Sequence, residues 1–168
     1  MANPFERIAT VTVGSGGQAA MEFNSIPATF TDLLIVQSGR SSTGSPDQSI
    51  QFNSNSSSYS AIYMYNVGGT PTGGTTSSIP LVGLPKSSYT ANTFGSTTIY
   101  IPNYRGSGYK SVSAQSVAPN DSTSDYFLWF CGGVWSNNST ITSLKLNASS
   151  PALYTEHSTA TLYGIKKS

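Results

Sequence analysis

The chain has 168 residues, a net charge of +1 and only 9% Asp, Glu, Lys and Arg, against about 25% in an average soluble domain. Thirty serines and nineteen threonines carry its polarity, and ten tyrosines, seven phenylalanines and two tryptophans argue against a disordered hydroxyl-rich tract. The eight basic residues are scattered, with only Lys166 and Lys167 adjacent, which excludes the clustered footprint that nucleic acid requires.

The length predicts one domain, residues 1–168, with a real core. No apolar run approaches the ~18–20 residues of a membrane span. The start, "MANPFERIAT", has neither a basic nor an apolar export region, so Sec-type export is not expected. Cys131 is the one cysteine; it forms no intrachain disulfide and reads as a buried thiol.

Short strands follow one another along the chain. "FERIATVTV" (5–13) sets Ile8, Thr10 and Thr12 on one face and Ala9, Val11 and Val13 on the other. "GSGG" (14–17) is a hairpin turn, without the Lys-Ser/Thr ending and helix of a phosphate loop, and "QAAMEF" (18–23) returns from it. "TDLLIVQS" (31–38) and "QSIQFN" (48–53) are next, then "YSAIYMYN" (59–66), with Tyr59, Ala61, Tyr63 and Tyr65 opposite Ile62 and Met64.

Two segments break the rhythm. "GGTPTGGTTSS" (68–78) reads as a flexible polar loop that continues through "IPLVGLPKSS" (79–88), making 68–88 one long polar-then-apolar loop. Its Ile79, Leu81, Val82 and Leu84 are expected to dock on the chain's own sandwich or on a neighbouring subunit. Residues 97–117, "TTIYIPNYRGSGYKSVSAQSV", form two strands about a glycine-rich turn; "YFLWFCGGVW" (126–135), "ITSLKLN" (141–147) and "STATLYGIK" (158–166) complete the set. Period-two alternation bounded by Gly, Pro, Asn and Ser, with no helical spacing, predicts an all-β antiparallel β-sandwich of the jelly-roll type. Leu33, Leu34, Ile35 and Val36, like Phe127, Leu128, Trp129 and Phe130, are apolar on both faces. Such a strand needs its outer face covered, by the 68–88 segment or by another copy.

Chemistry is hard to find. The acids are Glu6, Glu22, Asp32, Asp47, Asp121, Asp125 and Glu156, and only Asp121 and Asp125 are close, in a turn-like stretch. His157 stands alone before the last strand, and one Cys with one His cannot make a tetrahedral zinc site. No catalytic, metal or cofactor-binding residue is therefore assigned, and the chain is not expected to be an enzyme. Tyr100, Tyr104, Tyr109 and Trp135 are candidate contacts to a sugar or a protein, with core packing as the plainer reading. The candidate interface is thus Ile79, Leu81, Val82, Leu84, Tyr100, Tyr104, Tyr109 and Trp135.

From Phe5 to Ile165, the phrases "FERIATVTVGSGGQAAMEFNSIPATFTDLLIVQSGRSS", "IYIPNYRGSGYKSVSAQSV", "GVWSNNSTITSLKL" and "STATLYGI" resemble small virion proteins of tailed bacteriophages, many of them from marine phages. The resemblance implies a structural protein with a sandwich or jelly-roll fold, commonly a homotrimer. Its members are capsid decoration (cement) proteins or parts of tail fibres. The chain starts directly at its first strand, without a fibrous stem, and this favours the capsid. The resulting expectation is a trimer made in the host bacterial cytoplasm and placed on the virion surface. There it bridges subunits of the major capsid protein, with loops 40–47 and 68–88 reaching the shell. The alternative is a tail-fibre module recognising host-surface glycan. Neither role involves nucleic acid or membrane.

Overall fold

The computed structural model describes residues 4–67, 69–121 and 126–166. These contain twelve strands and no helix. They are β1 (Phe5–Thr12), β2 (Ala20–Phe23), β3 (Asp32–Gly39), β4 (Gln48–Phe52), β5 (Tyr59–Val67), β6 (Thr70–Thr76), β7 (Ile79–Pro80), β8 (Gly95–Ile101), β9 (Lys110–Ala118), β10 (Phe127–Trp135), β11 (Leu144–Ala148) and β12 (Thr159–Ile165). Two antiparallel sheets pack together as a β-sandwich. One has eight strands in the order β1-β12-β3-β8-β9-β10-β5-β6, and the other four, β2-β11-β4-β7. The chain alternates between them: β1, β3, β8 and β12 lie in the large sheet, and β2, β4, β7 and β11 in the small one. The pairs β5–β6 and β9–β10 both add to the large sheet and widen it by four strands.

The period-two pattern decides which side chains go in. Along β9 burial alternates without a break, so that Val112 and Ala114 face in while Ser111, Ser113, Gln115 and Val117 face out. The core joins Leu33, Ile35, Ile99, Ile101 and Leu162 of the large sheet to Met21, Phe23, Ile50, Phe52, Leu144 and Leu146 of the small one. One buried polar cluster crosses it: the Tyr154 hydroxyl donates to Gln48 Oε1 at 2.7 Å, and the Gln37 and Gln48 amides exchange hydrogen bonds of 2.9 and 3.0 Å. A satisfied network of this kind fixes β3 against β4, because any slip would orphan buried amide groups.

The 68–88 segment differs from its expectation as a long loop. Gly68 lies outside the described residues, but Thr70–Thr76 is strand β6, paired antiparallel to β5 from Val67↔Thr70 to Ala61↔Thr76. Its Thr, Pro and Gly side chains show no apolar alternation because strand pairing is a backbone property and this strand has little to bury. The apolar part then enters the core. Ile79 pairs with Ile50, Leu81 N donates to Gln48 O at 2.8 Å, and Gly83 N and Leu84 N donate to Pro46 O, both at 3.2 Å. Ile79, Leu81, Val82 and Leu84 are all buried by their own chain. They are core residues, which corrects their assignment to an intermolecular surface. Segment 40–47 is also tied down, by Ser41 N to Pro85 O at 3.0 Å and Ser87 N to Thr43 O at 2.8 Å.

A cavity at this position is costly. Leu84→Ala should therefore lower the unfolding free energy by about 2–5 kcal/mol, read from urea denaturation followed by tryptophan fluorescence. A change under about 0.5 kcal/mol, typical of surface positions, would mean that the segment is not part of the core.

Candidate interaction face

Opposite the core, the large sheet has a second face that no segment of the described chain covers. Strand register orders its side chains in rows. Met64 lies beside Phe130 and Ile62 beside Gly132, Leu128 is beside Val117, and Leu34 and Val36 pair with Tyr100 and Thr98. Several large apolar groups stand in solvent here: Ile62 is 69% exposed, Met64 54% and Phe130 42%, with Val36, Val117 and Tyr100 also exposed. Ile62, Met64, Val117, Leu128 and Phe130 all belong to the added strands β5, β9 and β10.

The face is also nearly free of charge. Outward positions on β3, β8, β9, β10, β5 and β6 are Ser, Thr, Gln, Asn, Gly, Pro, apolar or aromatic, with Asp32 as the one charged side chain. That carboxylate is used internally: Asn103 N donates to Oδ1 at 2.8 Å and the Tyr100 hydroxyl to Oδ2 at 2.9 Å. The Asp32 hydrogen bond holds the Tyr100 phenol above its usual pKa. The exposed face of an antiparallel sheet is ordinarily polar and its large apolar patches mark contact sites.

Two shallow grooves cut the face. One, of about 650 Å³, runs by Ile62, Thr75, Gly132 and Val134, and the other, of about 630 Å³, by Met64, Gly73, Ser113 and Phe130. Gly132 lies in both. Its neighbour Gly133 points inward, where a Cβ would come within 2.8 Å of Ile79 Cγ1, so core packing demands a glycine there. Nothing lies within 4 Å of a Cβ built on Gly132.

A separate cleft of about 460 Å³ opens at the other side of β5, lined by Asp47, Gln48, Ser49, Thr75, Thr76 and Ser78 beside Tyr63 and Trp129. The inward aromatic rings of β5 and β10 form a ladder here. Tyr63 stacks on Trp129 at 4.5 Å, Trp129 on Tyr65 at 5.6 Å, and Tyr65 on Phe127 at 5.7 Å, with planes within 18°. Trp129 Nε1 donates to Pro80 O at 3.3 Å, and Asp47 is exposed at the cleft.

The aromatic candidates separate. Tyr109 is 65% exposed in the turn before β9, and Tyr100 lies on the outer face. Tyr104 and Trp135 are buried, which corrects their reading as contact platforms. The Tyr104 hydroxyl donates to Pro27 O, and the Trp135 ring lies 5.6 Å from Phe52 and 6.2 Å from Tyr59. Large rings next to glycine-rich turns are easily mistaken for exposed groups, but here they fill the ends of the sandwich. Ile62, Met64, Val117 and Gly132 were missed as an interface, and Leu128 and Phe130 were read only as part of a strand apolar on both faces. The alternation of Ile62 and Met64 against four inward residues was the available signal.

The titratable groups make no catalytic set among the described residues. No three His, Cys, Asp or Glu side chains there could hold a metal. Glu22 and Glu6 make exposed ion pairs with Lys145 and Lys166, both at 2.8 Å. His157 is an exposed turn residue at φ 70°, Asp121 is an exposed residue at a bend with φ 48°, and Asp125 lies outside the described residues. Lys110 is buried and donates to the carbonyls of Gly106, Gly108 and Asn137 at 2.8, 2.6 and 3.3 Å, and its desolvation lowers its pKa. It ties the turn after β8 to the one after β10. No protein-family model, curated protein or solved structure matches the chain.

Burial pushes the Cys131 thiol up to about 11, and the thiolate is the reactive form. A disulfide reagent at pH 8 should therefore leave Cys131 unlabelled in the native protein and label it within seconds in 6 M guanidinium. Fast native labelling would contradict its inward position on β10.

Proposed function

We propose that this chain is a structural component of a tailed-bacteriophage particle, a non-enzymatic decoration protein on the capsid. Its partners are further copies of itself and the major capsid protein. The observation that carries this reading is the broad, uncharged, partly apolar outer face of the eight-stranded sheet, a surface suited to permanent contact and unsuited to open solvent. The resemblance of the strand-and-turn phrases to small phage virion proteins supports the particle. The strand path supports the jelly roll we assign to the core, with β1-β12-β3-β8 facing β2-β11-β4-β7 and the β5–β6 and β9–β10 pairs as insertions. The role assigns no cofactor, nucleic acid or membrane. Repetition of modest contacts around a particle gives avidity and would stiffen the shell.

Quantitative mass spectrometry of purified particles tests the assignment. A copy number comparable to the major shell protein is expected, and a few copies per particle would move the chain to the tail.

The cleft beside Tyr63 and Trp129 favours a second reading, a tail module that binds host-surface glycan. Aromatic surface next to Asp47, Ser49, Thr75 and Ser78 offers both stacking and hydrogen bonding to sugar hydroxyls. On this reading purified protein binds host envelope polysaccharide, and Tyr63→Ala weakens binding at least tenfold while Phe130→Ser does not. No binding at millimolar oligosaccharide would dispose of it. Trp135→Ala and Tyr104→Ala are poor tests, because both remove core rings.

A further inference from the structure

We infer that the outer face of the large sheet pairs with the same face of a second copy of this chain across a two-fold axis. Three observations carry the inference. The first is Gly132. A glycine inside a strand weakens it and often marks a bulge, a bend or the close approach of a ligand or another backbone, and β10 keeps its register through Gly132. Gly133 is explained by Ile79, but nothing in its own chain approaches Gly132, which has open space above it. The hollow therefore fits something outside the chain.

The second is shape. Phe130 and Gly132 are a projection and a hollow two residues apart on β10, both facing out. An axis in the plane of the face, perpendicular to β10 and crossing it between them, sets each Phe130 ring over the other copy's Gly132. The same operation brings Ile62 of each copy against Met64 of the other, since these flank Gly132 and Phe130 on β5. One surface thus supplies both halves of the contact, the requirement for an isologous dimer.

The third is charge and area. Asp32, the one charged group on this face, is already buried and hydrogen-bonded within the single chain, so pairing the faces takes no further exposed charge out of water. Six strands spaced ~4.8 Å apart and about 25 Å long give a face of roughly 700 Å², close to the ~800 Å² per partner of a stable interface. The 30° offset usual for packed sheets tilts this axis by about 15° and keeps its crossing point on β10. A shell protein would need its own matching projection and hollow, whereas a second copy already has them. The pairing does not depend on which particle the chain belongs to, and its two-fold symmetry differs from the three-fold arrangement expected from the resemblance.

The test is light scattering coupled to size exclusion on the purified full chain, from 1 to 100 µM. Wild type should show twice the mass of the chain. A Cβ at Gly132 has no atom within 4 Å, so Gly132→Leu fills the hollow on the exposed face; it should keep the wild-type melting temperature and raise the dimer dissociation constant at least tenfold. Phe130→Ser removes the projection and should do the same by another route, which keeps the test valid if one variant fails to fold. A wild-type monomer at 100 µM, a three-chain mass, or a dimer indifferent to both variants would overturn the inference. Particle copy number would be unaffected by that result, so the two readings fail separately.

Discussion

The fit of Ile79 against Gly133 is the contact on which the assembly of the two sheets depends. β7 is only two residues long and forms the last strand of the small sheet, yet it lies against β10 and β5 in the large one. Without a side chain at Gly133 the β10 backbone lets Ile79 approach closely, and Ile79 is fully buried as a result. From there Leu81, Val82 and Leu84 follow into the core, and Pro46 and Gln48 take their backbone hydrogen bonds. The inserted strands β5, β6, β9 and β10 are joined to the large sheet by the β8–β9 ladder and backed by this contact and by the rings stacked beside it. Interiors pack densely and yield little, so the added half of the large sheet is firmly backed.

Firm backing gives the opposite face its character. A sheet fixed from behind presents its outer side chains at set spacings, and here those are hydroxyls, amides and apolar groups. Charge would favour solvent and would carry a desolvation cost in any contact. Its scarcity across six strands suits a surface that is meant to be covered. The other edge is treated differently: β1 carries Glu6 and Arg7, a register shift between Arg7 and Ala9, and the Glu6–Lys166 ion pair. Bulges and charges are devices against sheet extension, so growth at β1 is discouraged while the apolar face lies far from it, on β5, β9 and β10.

The buried polar groups support the same architecture. Lys110 joins two turns through carbonyl oxygens without any carboxylate, and Arg40 gathers the carbonyls of Ser87, Tyr89, Thr90 and Thr93 with one guanidinium. In a chain so poor in charge, several of its few ions serve as internal ties for loops. Charge-assisted bonds are stronger than neutral ones, and this suits loops built mainly from Ser, Thr and Gly.

Much of the fold could be read from local pattern. Alternation over 5–13, 48–53 and 59–66, turn residues between them and the absence of helical spacing gave the strands, because a side-chain period of two needs no knowledge of distant partners. The two-faced stretches at 33–36 and 127–130 likewise pointed to apolar side chains on the outer face, where Val36 and Phe130 are exposed. Local pattern could not reveal β6, whose Thr, Pro and Gly carry no periodic signal and which is a strand only because β5 lies beside it. Nor could it place Leu81, Tyr104 or Trp135, since an apolar residue near a turn looks the same whether it points inward or out. The sequence by itself determined the class, all-β with hydroxyls in place of charge. Tertiary structure alone decided which apolar groups are core and which are surface, and that Gly133 serves Ile79 while Gly132 stands open. The reason is physical: these distinctions rest on pairings between residues far apart in the chain, and only the folded backbone brings them together.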